Sequence, residues 1–362
     1  MRGVMRFAIL LPVTVLLLAA IVWAVGFEET AKQVRLAGLP AFASVGGLSL
    51  LFIIAQSLAW LLLNRPVGHR VRFRTLVEAT TVGQAGNIIT PSTYLGGEPL
   101  RVAYVGKMAG LPYPQVAGTV LLCKYLELLS FMLLFGFSAV VAALEYKDVL
   151  FRPPNLVGGI AIVTVAGLLL GFCGLLWVSL WRRWRPLTQM VRALARARPL
   201  RRLVARLWHR VAEMEDQTSR VFCEEGRTSF SAFGMMLASH AIVFAKPLAF
   251  FLLGGRLRLG LGELCLIFAA GQLLLAVQLT PSGVGMLDGG LIAVFALLGY
   301  NTAAHAAMAM AYLLCLRLWD VAVIGIGALL AARVGARFLI AKPPPLVGAG
   351  ACEKPGVGGA AP

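Results

Sequence analysis

Eight ionisable residues interrupt stretches of sequence that are otherwise apolar: Glu98, Arg101, Lys124, Glu127, Lys246, Asp288, Arg317 and Asp320. Four are basic and four acidic. If these stretches lie in hydrocarbon, each unpaired charge costs about 2.5–3.5 kcal/mol. Eight of them would cost on the order of 20 kcal/mol, more than the typical net stability of about 5–15 kcal/mol. They must therefore be paired or hydrated. Lys124 and Glu127 are three residues apart, as are Arg317 and Asp320, so each pair shares a helical face; Glu98 and Arg101 do so too if a helix starts near Pro99. Two readings follow. The charges are static ion pairs that fix helix packing, or they line a wetted cavity that receives a zwitterionic or anionic headgroup while acyl tails stay in lipid.

Bond-making chemistry has little support. There is no Walker motif, G-x-G-x-x-G, D-x-D or H-E-x-x-H, so no cofactor, metal or catalytic residue is expected and the chain reads as a non-enzyme. An embedded acid/base pair could still carry a simple transfer. The six cysteines, at 123, 173, 223, 265, 315 and 352, lack C-x-x-C spacing and read as free thiols.

The charges stand beside breakers. Thr90-Pro91-Ser92 is followed after five residues by Glu98, and Thr280-Pro281-Ser282 after five residues by Asp288, an offset of 190; Lys124 with Glu127 returns as Arg317 with Asp320 at offset 193. Order, spacing and charge sign agree, which marks an internal repeat. Gly96, Gly97, Gly283 and Gly285 give the turns positive φ and close helix approach, as Gly289 and Gly290 could. Half-helix N-termini near Pro91 and Pro281 add partial positive charge. Lys246-Pro247 is expected to break its span, either as a gate or as a kink with a hydrated lysine. His240 reads as an interhelical hydrogen-bonder and His305 as interfacial.

Composition says what must position these groups. Of 362 residues, 59% are hydrophobic and 14% charged, with mean hydropathy +0.83, which excludes a soluble enzyme. Six runs reach the roughly 20 residues that a helix needs to cross about 30 Å of hydrocarbon: 7–25, 42–63, 115–144, 157–181, 231–254 and 303–332. Phe7–Val25 lacks a signal-cleavage site and reads as a retained anchor. Two further stretches, 75–110 and 261–299, are broken near their middles by Gly and Pro. Irregular backbone at membrane depth survives only inside protein or along a cavity, so both read as re-entrant hairpins whose Pro-containing turns meet near the midplane. Each half then has three crossings, an odd number, and the second must insert upside down. The expected fold is an all-α polytopic membrane protein of six transmembrane helices plus two re-entrant helical hairpins in an inverted-topology repeat. The first repeat occupies 1–181, with 157–181 opening the second; 182–230 is a basic linker; 231–340 completes the second repeat; and 341–362 is a disordered tail.

Lys and Arg sort by side. Of the 33, 23 fall in segments that can share one face, 6 in the alternate loops and 4 within the membrane. This places both termini in the cytoplasm and makes the net charge of +17 largely a topology signal. Within the linker, Arg198, Arg202, Arg206 and Arg210 oppose a stripe of Leu200, Leu203, Val204, Leu207, Trp208 and Val211. Residues 198–211 thus form an amphipathic helix suited to anionic phospholipid. Nucleic acid is not an expected partner.

The segments TPSTYLGGEPLRVAYVGKMAG and LTPSGVGMLDGG resemble the P-x(n)-G-E-x-x-R and P-x-G-x-G-x-x-E signatures of the lysylphosphatidylglycerol synthase transmembrane-region family, the flippase-like integral membrane proteins. Glu98 and Arg101 match the first signature. Asp288 stands where Glu is usual in the second, which keeps the charge and shortens its reach. The resemblance covers roughly residues 5–340 and implies lipid flipping or export in the bacterial inner membrane. With only a short tail after the last span, it implies the transmembrane module without synthase activity. The expectation is a lipid or glycolipid translocase with a midplane cavity; a membrane-embedded lipid-modifying transferase and an accessory subunit of a lipid synthesis or export system are the alternatives. A homo-oligomer or a lipid-synthesis enzyme is a candidate partner.

Overall fold

A computed structural model describes residues 27–65, 68, 70–90, 96–150, 156–182, 188, 189, 212, 222, 225–255, 257–276 and 285–340. The described residues contain helices and no strand: α1 (Phe27–Asn64), α2 (Phe73–Ile89), α3 (Glu98–Ala109), α4 (Tyr113–Glu145), the single turn α5 (Lys147–Leu150), α6 (Leu156–Trp181), α7 (Gly226–Phe250), α8 (Leu261–Ala276), α9 (Met286–Leu297) and α10 (Ala303–Ile340). Four helical segments are long and apolar enough to cross a membrane: Ala31–Asn64, Tyr113–Glu145, Gly226–Gly254 and Ala303–Val334. Large apolar side chains such as Phe137, Leu144, Leu168 and Leu329 point outward along the long helices, as a lipid-facing surface requires. The anchor expected at 7–25, the amphipathic helix at 198–211, the tail 341–362 and the hairpin tips with Pro91, Pro281 and Gly283 lie outside the described residues.

Each interrupted stretch contains two helices among the described residues. The first is α2 and α3, the second α8 and α9, and in each the two helices pack on one another. Their open ends differ in direction. Tyr104 in the middle of α3 donates its hydroxyl to Glu78 in the first half of α2 at 2.9 Å, and Arg72, Met108 and Arg333 line one cavity there. Helix α4 begins beside this end and runs for 33 residues, or about 50 Å at 1.5 Å per residue. At its far end the Glu145 carboxylate lies against Gly262 at the start of α8. There Tyr300, just beyond α9, donates to Glu263 at 2.7 Å. Burial and that hydrogen bond push the Tyr300 phenol up to about 12, so it remains a donor at neutral pH. The two hairpins therefore open toward opposite ends of α4.

Several contacts come in matched pairs. Helix α4 lies along α8, and α10 along α2; α4 also touches α7, and α10 touches α1; α1 and α7 pack on each other. Exchanging α1 for α7, α2 for α8 and α4 for α10 maps these contacts onto themselves. The cores do likewise. Trp60, Leu76, Tyr104, Leu122 and Leu126 fill the space between the first hairpin and its long helices, and Phe250, Phe251, Phe295 and Tyr312 do so for the second. Phe135, Leu266 and Phe268 join α4 to α8.

Three local expectations need correction. The segment before the second span is not a loop: α1 begins at Phe27 and bends at Gly38, where φ is 67°, just before Pro40. Lys246-Pro247 does not break α7, which continues to Phe250 and ends in a wider π turn over Phe251–Gly255. Gly97 has φ −89°, and Gly96 is not among the positive-φ glycines. Both are needed for close approach instead: a Cβ on Gly97 would strike the Gly83 carbonyl and one on Gly96 the Thr90 side chain. Gly285, by contrast, has φ 90°.

Candidate functional site

The first cluster forms where α3 starts. Glu98 opens that helix, with Pro99 in its first turn and Gly97 before it. Gly97 is held by its own N–H, which donates to Asn87 Oδ1 at 2.7 Å. Glu98 reaches across to Lys124 on α4 at 3.0 Å and along its own helix to Arg101 at 3.6 Å. Lys124 also donates to Glu127 at 3.0 Å. The expected i,i+3 pairs are thus present, and Lys124 joins them across elements.

Gln56 on α1 completes this cluster. Its amide oxygen accepts from Arg101 at 2.8 Å and from Gln84 at 3.1 Å, while its NH₂ donates to Glu127 at 3.3 Å. Arg101 lies over Gly83, where any side chain would collide with it. Gln56, Arg101 and Glu127 are all buried. Below Glu127, Ser130 shares a 3.0 Å hydrogen bond with His240, whose same ring nitrogen lies 3.0 Å from the Met236 carbonyl. His240 is thus an interhelical hydrogen-bonder. His305 lies at the exposed start of α10, beside Thr302.

The second cluster repeats the first in order. Asp288, in the first turn of α9, pairs with Arg317 on α10 at 3.0 Å, and Arg317 pairs with Asp320 at 3.3 Å. Acid on the second half-helix, base on the following long helix, acid one turn further on: this is the sequence Glu98, Lys124, Glu127 over again. Asp288 is fully buried and its second oxygen accepts from the Gly285 N–H at 2.9 Å. Counting charges, Asp288, Arg317 and Asp320 leave one excess anion. Lys246 balances it, since Lys246 and Asp320 line one cavity of about 130 Å³ with Ser49, Phe52 and Gln84. Gln84 also belongs to the first network, so one polar seam joins the two clusters.

The seam is flanked by a larger groove. Between α3 and α4 an open cleft of about 580 Å³ is walled by Val102, Ala103, Ala117, Val120 and Leu121, with Glu98 and Lys124 at its polar edge. Both Glu98 oxygens are buried and take charge contacts from Lys124 and Arg101, but no well-directed hydrogen bond among the described residues. The described residues contain no group of three His, Cys, Asp or Glu able to hold a metal. Cys123, Cys265 and Cys315 are free and buried.

All eight charged residues of these clusters stand out in the sequence, whereas Gln56, Gln84 and Asn87 do not. The available signal for Gln56 was a lone amide inside the apolar run 42–63.

A bundle of long apolar helices around paired charges defines an integral membrane protein. The chain matches the family described as "Lysylphosphatidylglycerol synthase TM region" over residues 4–332, and it belongs to that family. It is also similar to a UPF0104 membrane protein of Methanothermobacter thermautotrophicus, 24% identical over 335 residues, which span 89% of this chain and 94% of the relative. No solved structure matches.

Proposed function

We propose that the chain is a lipid translocase without synthase activity, moving a lipid or glycolipid headgroup across the bacterial inner membrane. The observation that carries this reading is the Glu98–Lys124 pair on the edge of the apolar cleft between α3 and α4. Cleft volumes of about 300–1,000 Å³ suit small amphiphiles. An acyl chain lies against Val102 and Leu121 while the headgroup exchanges with the ion pair. Glu98, which lacks a directed hydrogen bond, accepts from headgroup hydroxyl or ammonium, and Lys124 takes phosphate. Arg101, Glu127, Asp288, Arg317 and Asp320 continue the polar path, with Lys246 beside Asp320 in one cavity.

In this reading six spans and two re-entrant hairpins form an inverted repeat. Support comes from the opposite openings of the hairpins and from the matched pairs of helix contacts. Cytoplasmic termini fit the shared cavity of Arg72, Arg74 and Arg333, three cations from segments that the charge count puts on one side. The inverted halves rock about the α1–α7 contact to expose the seam alternately.

Reconstitution into liposomes with labelled phospholipids tests the function. Scrambling that Glu98→Gln slows at least tenfold, with expression and melting temperature kept, is the expected result. A new lipid species would instead mark a transferase, and neither outcome would mark an accessory subunit.

A further inference from the structure

At the open end of the first hairpin, α2, α3 and α10 enclose a second cavity that the translocation path does not use. It measures about 190 Å³ and is lined by Arg72, Arg74, Thr75, Glu78, Tyr104, Met108, Arg333 and Val334. Three guanidiniums face one carboxylate. That carboxylate is already engaged on both oxygens: Arg74 Nε donates to one at 3.0 Å and the Tyr104 hydroxyl to the other at 2.9 Å. Glu78 therefore fixes Arg74 by its inner nitrogen and leaves the terminal fork for another acceptor. Arg72 and Arg333 form no ion pair with another described residue. The cavity thus carries an excess of two positive charges, with Arg forks that match the geometry of a phosphate.

Other features say which phosphate. Met108 and Val334 make part of the wall apolar, beside the exposed Arg72, Arg74 and Arg333. The cavity thus joins apolar to polar surface. The first turn of α2, which opens into it, has no side chain capping its N–H groups, so partial positive charge adds to that of the arginines. At about 30 Å³ per water, the space exceeds that of a few waters and accepts a phosphate with a short polar extension.

We propose that this cavity binds the phosphate of an anionic membrane phospholipid, as a headgroup site separate from the Glu98–Lys124 cleft. Lipid held here sits at the membrane surface beside the open end of the first hairpin and ties α2 to α10 through Arg72 and Arg333.

The test uses the full chain in detergent, with short-chain phosphatidylglycerol and phosphatidylcholine as probes, read by native mass spectrometry and by thermal shift. The parent should retain phosphatidylglycerol in preference to phosphatidylcholine. Arg72→Gln with Arg333→Gln should bind it at least tenfold more weakly, while Arg182→Gln with Arg227→Gln, which removes the same charge elsewhere, should not. Arg333→Lys, which keeps the charge and loses the fork, should bind more weakly than the parent and more tightly than Arg333→Gln, and the single Gln variants should fall between the parent and the double variant. Equal binding of the two lipids, or no difference between the two double variants, would overturn the proposal. Inorganic phosphate that competes at the same concentration as the lipid would overturn its lipid source. Glu98→Gln should leave this binding intact while slowing scrambling at least tenfold, so failure here and failure of the translocase reading are told apart.

Discussion

Lys124 is the residue on which the first cluster turns, because it contacts two carboxylates at 3.0 Å each, one on its own helix and one on α3. Exchanging Lys124 with Glu127 looks, in sequence, like a neutral swap of an i,i+3 pair. In the structure it sets a carboxylate at 124 against Glu98, and like charges at such range are costly. The swap should therefore lower the melting temperature as well as transport, and adding Glu98→Lys should restore much of the stability. Gln56 is the second such residue. Gln56→Leu removes one acceptor from Arg101 and Gln84 and one donor from Glu127, and at about 1–3 kcal/mol for each orphaned buried group should destabilise the protein measurably by thermal shift. The ionic members of the site were legible because charge in an apolar run has few explanations. The amides were not, because Gln56 carries no charge and its importance arises only once α1, α2, α3 and α4 converge on it.

The hairpins are the elements most exposed to small changes. At Gly97 an added Cβ meets the Gly83 carbonyl, which is backbone and cannot swing away. Gly97→Ala should cost about 1–3 kcal/mol as overpacking and displace Glu98 from Lys124. Gly285→Ala acts by another route, since φ 90° is a conformation that L-residues adopt only under about 1–3 kcal/mol of strain. Gly289→Ala faces open space and should fold like the parent, a control for helix propensity. Melting temperatures in detergent separate the three. The runs 115–144 and 157–181 match α4 and α6 closely at both ends, because 20-residue apolar runs admit few alternatives, whereas α10 continues past 332 to Ile340. Two features were not legible. The helix before Gly38 is too charged to register as a span, and Pro247 persists inside α7 because the neighbouring helices hold it in place.

For the molecule as a whole, the opposed hairpins make a topological prediction. Arg70→Cys and Lys147→Cys, both exposed, should react with a membrane-impermeant maleimide from opposite sides of sealed vesicles. Arg333→Cys should share the side of Arg70, with which it lies through the cavity of Arg72 and Arg74. Labelling of all three from one side would defeat the inverted arrangement. The two matched spacings, 190 and 193, are visible in the sequence. What no spacing could give was that each acid on a half-helix meets the base of the next long helix in space. Nor could it assign Lys246, outside the repeated motif, as the counter-charge of the second half.

Asp288 adds a consequence of its own. One of its oxygens holds Arg317 and the other accepts from the N–H of Gly285, the residue that caps α9, so a single carboxylate serves as both counter-ion and helix latch. An anion that draws Arg317 away frees Asp288 to reorient, and the first turn of α9 loses its fastening. Occupancy of the polar seam is thereby converted into fraying of a helix end. It should be visible without any transport measurement, as faster deuterium uptake at the amides of Gly285 to Gly289 when a phosphate-bearing lipid is present, and as permanent rapid uptake in Asp288→Asn, whose amide cannot serve both partners as a carboxylate does.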